Sequence, residues 1–203
     1  MIAGLDPLTV ASFLGAGVLL NLTPGADVMF ASASGLAGGP RAGVAAAFGV
    51  ALGGVLHTLL AAAGLAALLA ASPLAFDAVR WVGAGYLLFL AVKAWRAGPA
   101  ERVDGAAGLG RAVRRGFVTN ALNPKVALFV LAFLPQFTDP DRGALWQQIL
   151  VLGLLFSTTG FFITAGYGAM AGIAGRALGR ATGWMGKVAA LVFAALAVRL
   201  VIA

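Results

Sequence analysis

An all-α, polytopic membrane protein is the fold class this sequence predicts, with six transmembrane helices forming two inverted three-helix repeats whose first helices are broken. Three observations carry that expectation. The 203-residue chain is 61% hydrophobic and only 10% charged. Its basic residues fall mostly between apolar runs, and the first run of each half carries an asparagine followed by an in-span proline. An average soluble domain is about 25% charged. A spanning helix needs roughly 20 apolar residues, so the chain has room for several spans and little else.

The composition also excludes classes of chemistry. With no cysteine there can be no disulfide, thiolate metal ligand or iron–sulfur cluster, and one histidine argues against a histidine-rich metal site. No cofactor is expected. A net charge of +7 would suggest nucleic acid in a soluble protein. Here the charge sits in the gaps between apolar runs, so membrane topology explains it and no nucleic-acid partner is expected.

The apolar runs define spans near residues 8–32, 42–70, 74–96, 116–137, 145–171 and 184–203. The N-terminal stretch has an acidic residue and no basic cluster before its apolar run, and reads as the start of the first span, not a cleavable signal. The second and fifth spans are free of Asp, Glu, Lys and Arg from Ala42 to Phe76 and from Gly143 to Gly175. The sixth has Lys187 and Arg199 near its ends, where both can snorkel. A five-span variant with one surface-lying helix is the alternative.

Six spans place Arg41, Lys93, Arg96, Arg102, Arg111, Arg114, Arg115, Arg176, Arg180 and Lys187 on one side. Arg80, Arg142 and Arg199 fall on the other. That asymmetry puts the 97–115 connector, read as a flexible topology anchor, in the cytoplasm and both termini outside. The chain is then a single transmembrane domain. Its first repeat covers about residues 1–96 and its second about 116–203. Three spans per half is an odd number, so the halves insert in opposite senses, as in many secondary transporters.

The two breaks carry the candidate site. Asn21, Thr23, Pro24, Gly25 and Asp27 mark the first; Asn120, Asn123, Pro124 and Lys125 mark the second. A proline removes a backbone donor, and a freed carbonyl in hydrocarbon must find another partner. Asn21, Thr23, Asn120 and Asn123 can supply hydrogen bonds, while Pro24, Gly25 and Pro124 shape the breaks.

Asp27 and Lys125 are the charged residues well inside spans, and intramembrane charges are functional candidates. Their opposite signs suit the two ends of a zwitterion, and the two can pair when the site is empty. The bland readings are a helix-capping role for Asp27 and snorkelling for Lys125. His57, mid-span, is either a proton relay or a neutral ring bonded to a neighbouring helix.

Glycines 49 and 53, 168 and 172, and 179 and 183 have small-xxx-small spacing, which predicts tight helix contacts within the chain or in a homo-oligomer. Trp81, Tyr86, Trp95, Trp146 and Trp184 fit interfacial belts. Ser157, Thr158 and Thr159 are hydroxyls without an evident base. No span holds a catalytic set, so no enzymatic activity is expected.

With these residues in view, the chain resembles the lysine exporter and threonine-efflux (LysE/RhtB) family of bacterial amino-acid exporters. The resemblance rests on NLTPGAD at 21–27, the glycine–alanine stretch at 39–69, and NALNPKVALFVLAFLPQF at 120–137. It departs at Ala26, where the family motif has a second proline. It implies a multi-pass protein of the bacterial inner membrane that exports amino acids or close derivatives, coupled to a proton or other ion gradient. The competing expectations are small-ion or metal efflux and a non-transporting membrane scaffold.

Overall fold

The computed structural model describes residues 3–71, 73–96, 103–174 and 182–202. Among them the protein is built of helices: α1 (Pro7–Leu22), α2 (Ala26–Ala71), α3 (Pro73–Arg96), α4 (Leu109–Ala121), α5 (Pro124–Leu128), α6 (Leu145–Ala174) and α7 (Thr182–Ile202). A helix satisfies its backbone internally, which hydrocarbon demands of any segment facing lipid. The side chains agree. Leu60, Leu74, Phe89, Phe162, Ile173 and Leu191 are all more than half exposed, a surface that suits lipid and not water. This is a helical membrane protein.

Span by span, the match to expectation is uneven. Ala26–Gly64 and Leu145–Ala174 are long and apolar enough to cross a bilayer, and Leu109–Ala121 with Pro124–Phe137 makes a third if taken as one span bent by 51°. The 16-residue α1 is apolar but, at roughly 24 Å, shorter than a bilayer's hydrocarbon. Length and composition alone thus support two or three spans among the described residues, and the six-span arrangement needs a further argument.

Two expected loops prove to be ordered. The first and second spans are joined by a tight turn: α2 is two helices that meet where Gly38 and Gly39 leave helical geometry, just ahead of Pro40. Gly39 has φ +77°, a conformation natural to glycine. Of the 97–115 connector, residues 103–108 lie against that turn. The Ala106 amide donates to Ser34 Oγ at 3.2 Å, and Ala106 is 1% exposed. From Leu109 the connector is already helix. Ala112, Gly116 and Asn120, four residues apart, form its buried face, while Arg111, Arg114 and Arg115 stay exposed.

The small-residue pairs at 49 and 53 and at 168 and 172 make contacts within the chain. Gly49 meets the α4 backbone at Val113, and Gly116 returns the contact at Ala46. Gly168 lies on Gly43, and Gly172 on Gly39 and Pro40, so α2 and α6 touch backbone to backbone. Helix α3 packs mainly on α7.

The main apolar core gathers Phe13, Phe129, Phe133, Phe137 and Phe156, with Phe129 stacked on Phe133 at 4.9 Å. Here the helix after α5 widens to a π-turn at Phe129–Phe133, then tightens to a 3-10 turn at Leu134–Phe137.

Trp81, Trp95 and Trp146 are exposed and Tyr86 is half-buried, as interfacial residues would be. Arg102, Arg176, Arg180 and Gly179 lie outside the described residues, as do the side chains of Arg80 and Trp184.

Candidate functional site

Both predicted breaks are present, and they meet. Helix α1 stops at Leu22 and α2 starts at Ala26; α4 stops at Ala121 and α5 starts at Pro124. Pro124 stands at the first turn of α5, where its missing N–H is no loss, and Asn123 caps that helix by accepting from the Lys125 amide at 3.0 Å.

Each break is completed by the charge belonging to the other. The Lys125 ammonium donates to two carbonyls at the end of α1, those of Leu20 (3.2 Å), which also accepts from the Thr23 amide, and Thr23 (3.1 Å). Conversely, Asp27 Oδ2 accepts from the Asn120 amide (3.1 Å) and the Asn123 amide (2.8 Å) of the second break. Asp27 lies in the first turn of α2, where the helix dipole favours a negative charge.

Lys125 and Asp27 are 8% and 6% exposed. Lys125 therefore does not snorkel to an interface. Nor do the two charges pair: the ion pairs among the described residues are those of Arg142 with Asp6 and with Asp139.

The remaining predicted residues divide by task. Thr23 Oγ1 donates to the Leu19 carbonyl at 2.8 Å, finishing α1 without facing the cavity. Asn21 reaches α6, donating to the Phe156 carbonyl at 3.3 Å and to Thr159 Oγ1 at 3.4 Å. His57 Nε2 lies 3.0 Å from the Asn120 carbonyl; a carbonyl only accepts, so that nitrogen carries the proton. His57 thus caps the end of α4 much as Lys125 caps the end of α1.

Glycines make the room. A Cβ on Gly25 would lie 3.2 Å from Lys125 Nζ, and one on Gly160 would lie 3.1 Å from Asn21 Oδ1.

Asp27, Lys125, Asn21 and Asn120 line one cavity with Ser157 and Thr164 of α6. Its volume is about 20 Å³, room for one water-sized group. Ser157 is the residue that sequence reasoning passed over. Nothing in its local pattern separates it from Thr158 and Thr159; only the packing of α6 on Gly54 brings it here.

Crossed breaks with buried opposite charges inside a lipid-facing bundle define the class as a helical membrane transporter. The chain belongs to the LysE type translocator family, whose model matches residues 18–203. It is 35% identical over 168 residues to an uncharacterized membrane protein of Vibrio cholerae, covering 81% of this chain and 82% of that one. It is 32% identical over 163 residues to a homoserine/homoserine lactone efflux protein of Salmonella typhimurium, covering 79% of each. To a leucine efflux protein of Klebsiella pneumoniae it is 32% identical over 165 residues, covering 79% of this chain and 78% of that one. No solved structure matches it.

Proposed function

We propose that this protein is a secondary active exporter of amino acids or close derivatives, with its cargo site where the two breaks cross. One observation carries the reading: Asp27 and Lys125 are buried, opposite in charge, unpaired with each other and open to one cavity. A zwitterion brings the complementary charges in the complementary order. The relatives named for homoserine, homoserine lactone and leucine efflux support the same class of cargo.

The architecture we propose is six spans in two inverted halves. Its support is the exchange at the breaks, since an approximate twofold between the halves would send each half's charge to the other's break. On this reading α1 and the start of α2 form the first span, and α4 with α5 and the turns through Phe137 form the fourth. A cavity of about 20 Å³ holds no whole amino acid, so this conformation is closed, and transport proceeds by alternating access. A proton on Asp27 would weaken its charge-assisted bonds to Asn120 and Asn123, which makes Asp27 the proposed coupling residue.

The test is an efflux screen of the twenty amino acids in cells with and without the protein, repeated with Asp27→Asn and Lys125→Met. At least one amino acid should leave faster with the wild type. Both variants should insert normally and export at the rate of non-expressing cells. Undiminished export by both would overturn the assignment.

A further inference from the structure

Among the described residues, four buried side-chain polar atoms have no hydrogen-bond partner: Asp27 Oδ1, Asn120 Oδ1, Ser157 Oγ and Gln136 Oε1. The first three belong to residues lining the cavity at the crossed breaks. Buried polar atoms are nearly always bonded, so three orphans on residues that line one cavity point to a hydrogen-bonding ligand there. Ser157, Asp27 and Asn120 are 6%, 6% and 3% exposed, so bulk water does not serve them.

The chemistry of the three atoms specifies the occupant. All are oxygens able to accept: a carboxylate, an amide carbonyl and a hydroxyl. A primary ammonium has three N–H donors and no acceptor, and its head is about the size of the water-sized space available. The second polar atom of Asp27 and that of Asn120 are already used. Asp27 Oδ2 takes two amide donors, and the Asn120 amide is one of them.

Charge argues for an ammonium that arrives with its own carboxylate. Asp27 and Lys125 sum to zero, so any bare cation, metal or ammonium, would leave the buried site with excess positive charge, whereas a zwitterion keeps it neutral. Lys125 spends two donors on Leu20 and Thr23, which leaves its third for an anion.

We infer that Asp27 Oδ1, Asn120 Oδ1 and Ser157 Oγ form a subsite for the primary ammonium group of the cargo, with Ser157 a specificity residue. This deepens the exporter reading and rests on it. The subsite recognises what all α-amino acids share and leaves side-chain selection to other residues.

The test uses the purified full chain in lipid nanodiscs, with thermal unfolding as the readout. Ammonium and methylammonium chloride are titrated against potassium and sodium chloride at equal ionic strength. Potassium matches ammonium in size but has no directional donors, so the comparison isolates hydrogen bonding. Ammonium and methylammonium should raise the melting temperature above the potassium and sodium curves. Ser157→Ala, which removes one acceptor without adding bulk, should weaken their apparent affinity about tenfold, as losing a hydrogen bond to a charged group predicts. Gly54→Ala, whose Cβ would lie 2.8 Å from Ser157 Oγ, should do the same by filling that side of the cavity.

A preference for sodium, equal responses to all four salts, or an unchanged affinity in Ser157→Ala would each overturn the subsite. The exporter reading fails separately, if wild-type cells export none of the twenty amino acids.

Discussion

At the scale of single residues, the site works by exchange. Lys125 donates to carbonyls at the first break, and Asp27 holds the asparagine amides of the second. Removing either charge therefore leaves the other break unsatisfied as well as deleting a cargo contact. Gly25 is the glycine set against Lys125: a Cβ there would lie 3.2 Å from the ammonium. Gly25→Ala should displace the ammonium and lower export roughly tenfold, given how steeply function falls with misplaced groups. Gly15→Ala, with nothing within 4 Å of the added carbon, is the control and should export normally. Initial efflux rates normalised to membrane protein make the comparison. Equal rates for both variants would show that Lys125 tolerates movement.

At the scale of elements, contact between α2 and α6 is set by glycine. A Cβ on Gly168 would lie 2.8 Å from Gly43 Cα, and Gly35 approaches the Gly168 carbonyl from the other side. Gly168→Leu should separate the helices and destabilise the protein by about 1–3 kcal/mol or more. Gly166→Leu, in open space on the same helix, should be near neutral. Thermal unfolding in nanodiscs measures both.

The start of α1 offers a pH test. Asp6 caps α1, accepting from the Thr9 amide and hydroxyl, and pairs with Arg142 at 3.1 Å. The Thr9 hydroxyl, then the Thr9 amide, and to a smaller degree Arg142, hold the Asp6 carboxyl below its ordinary value of 3.8. A lowered folded-state pKa gives stability that is present above the ordinary value and is lost as pH falls through the folded one. Wild type should therefore melt above Asp6→Asn at neutral pH, with the gap closing below about pH 4. A gap independent of pH would assign the effect to geometry instead of charge.

At the scale of the whole molecule, orientation is the open expectation, and the absence of cysteine makes it measurable. Ala144→Cys, at the exposed start of α6, should react with a membrane-impermeant maleimide in intact cells. Arg111→Cys, on the exposed face of α4, should react only after permeabilisation. The reverse pattern would invert the positive-inside reading. Residues 103–108, packed on the turn of α2, then lie on the cytoplasmic side of the site. On the positive-inside reading the phenylalanine cluster from Phe156 to Phe137, where Arg199 stands 4.4 Å over the Phe137 ring, would lie on the outer side.

The sequence by itself determined the helical membrane class, both breaks and their two charges. These follow from local chemistry: apolar runs, proline's missing donor and the expense of a charge in lipid. It placed the joint between the first two spans, where Gly38 and Gly39 break the helix, but misjudged the connector, because glycine and proline mark a turn equally well whether the chain leaves the bundle or packs against it.

Only the tertiary structure decided which groups meet. Asp27 and Lys125 look like partners from their signs alone, yet each serves the opposite break. Ser157 acquires its place only through the packing of α6 on α2. Spacing along one helix fixes which face a residue occupies, but the groups that complete a break lie about a hundred residues away. What they touch is settled by how closely the glycine faces let the helices approach.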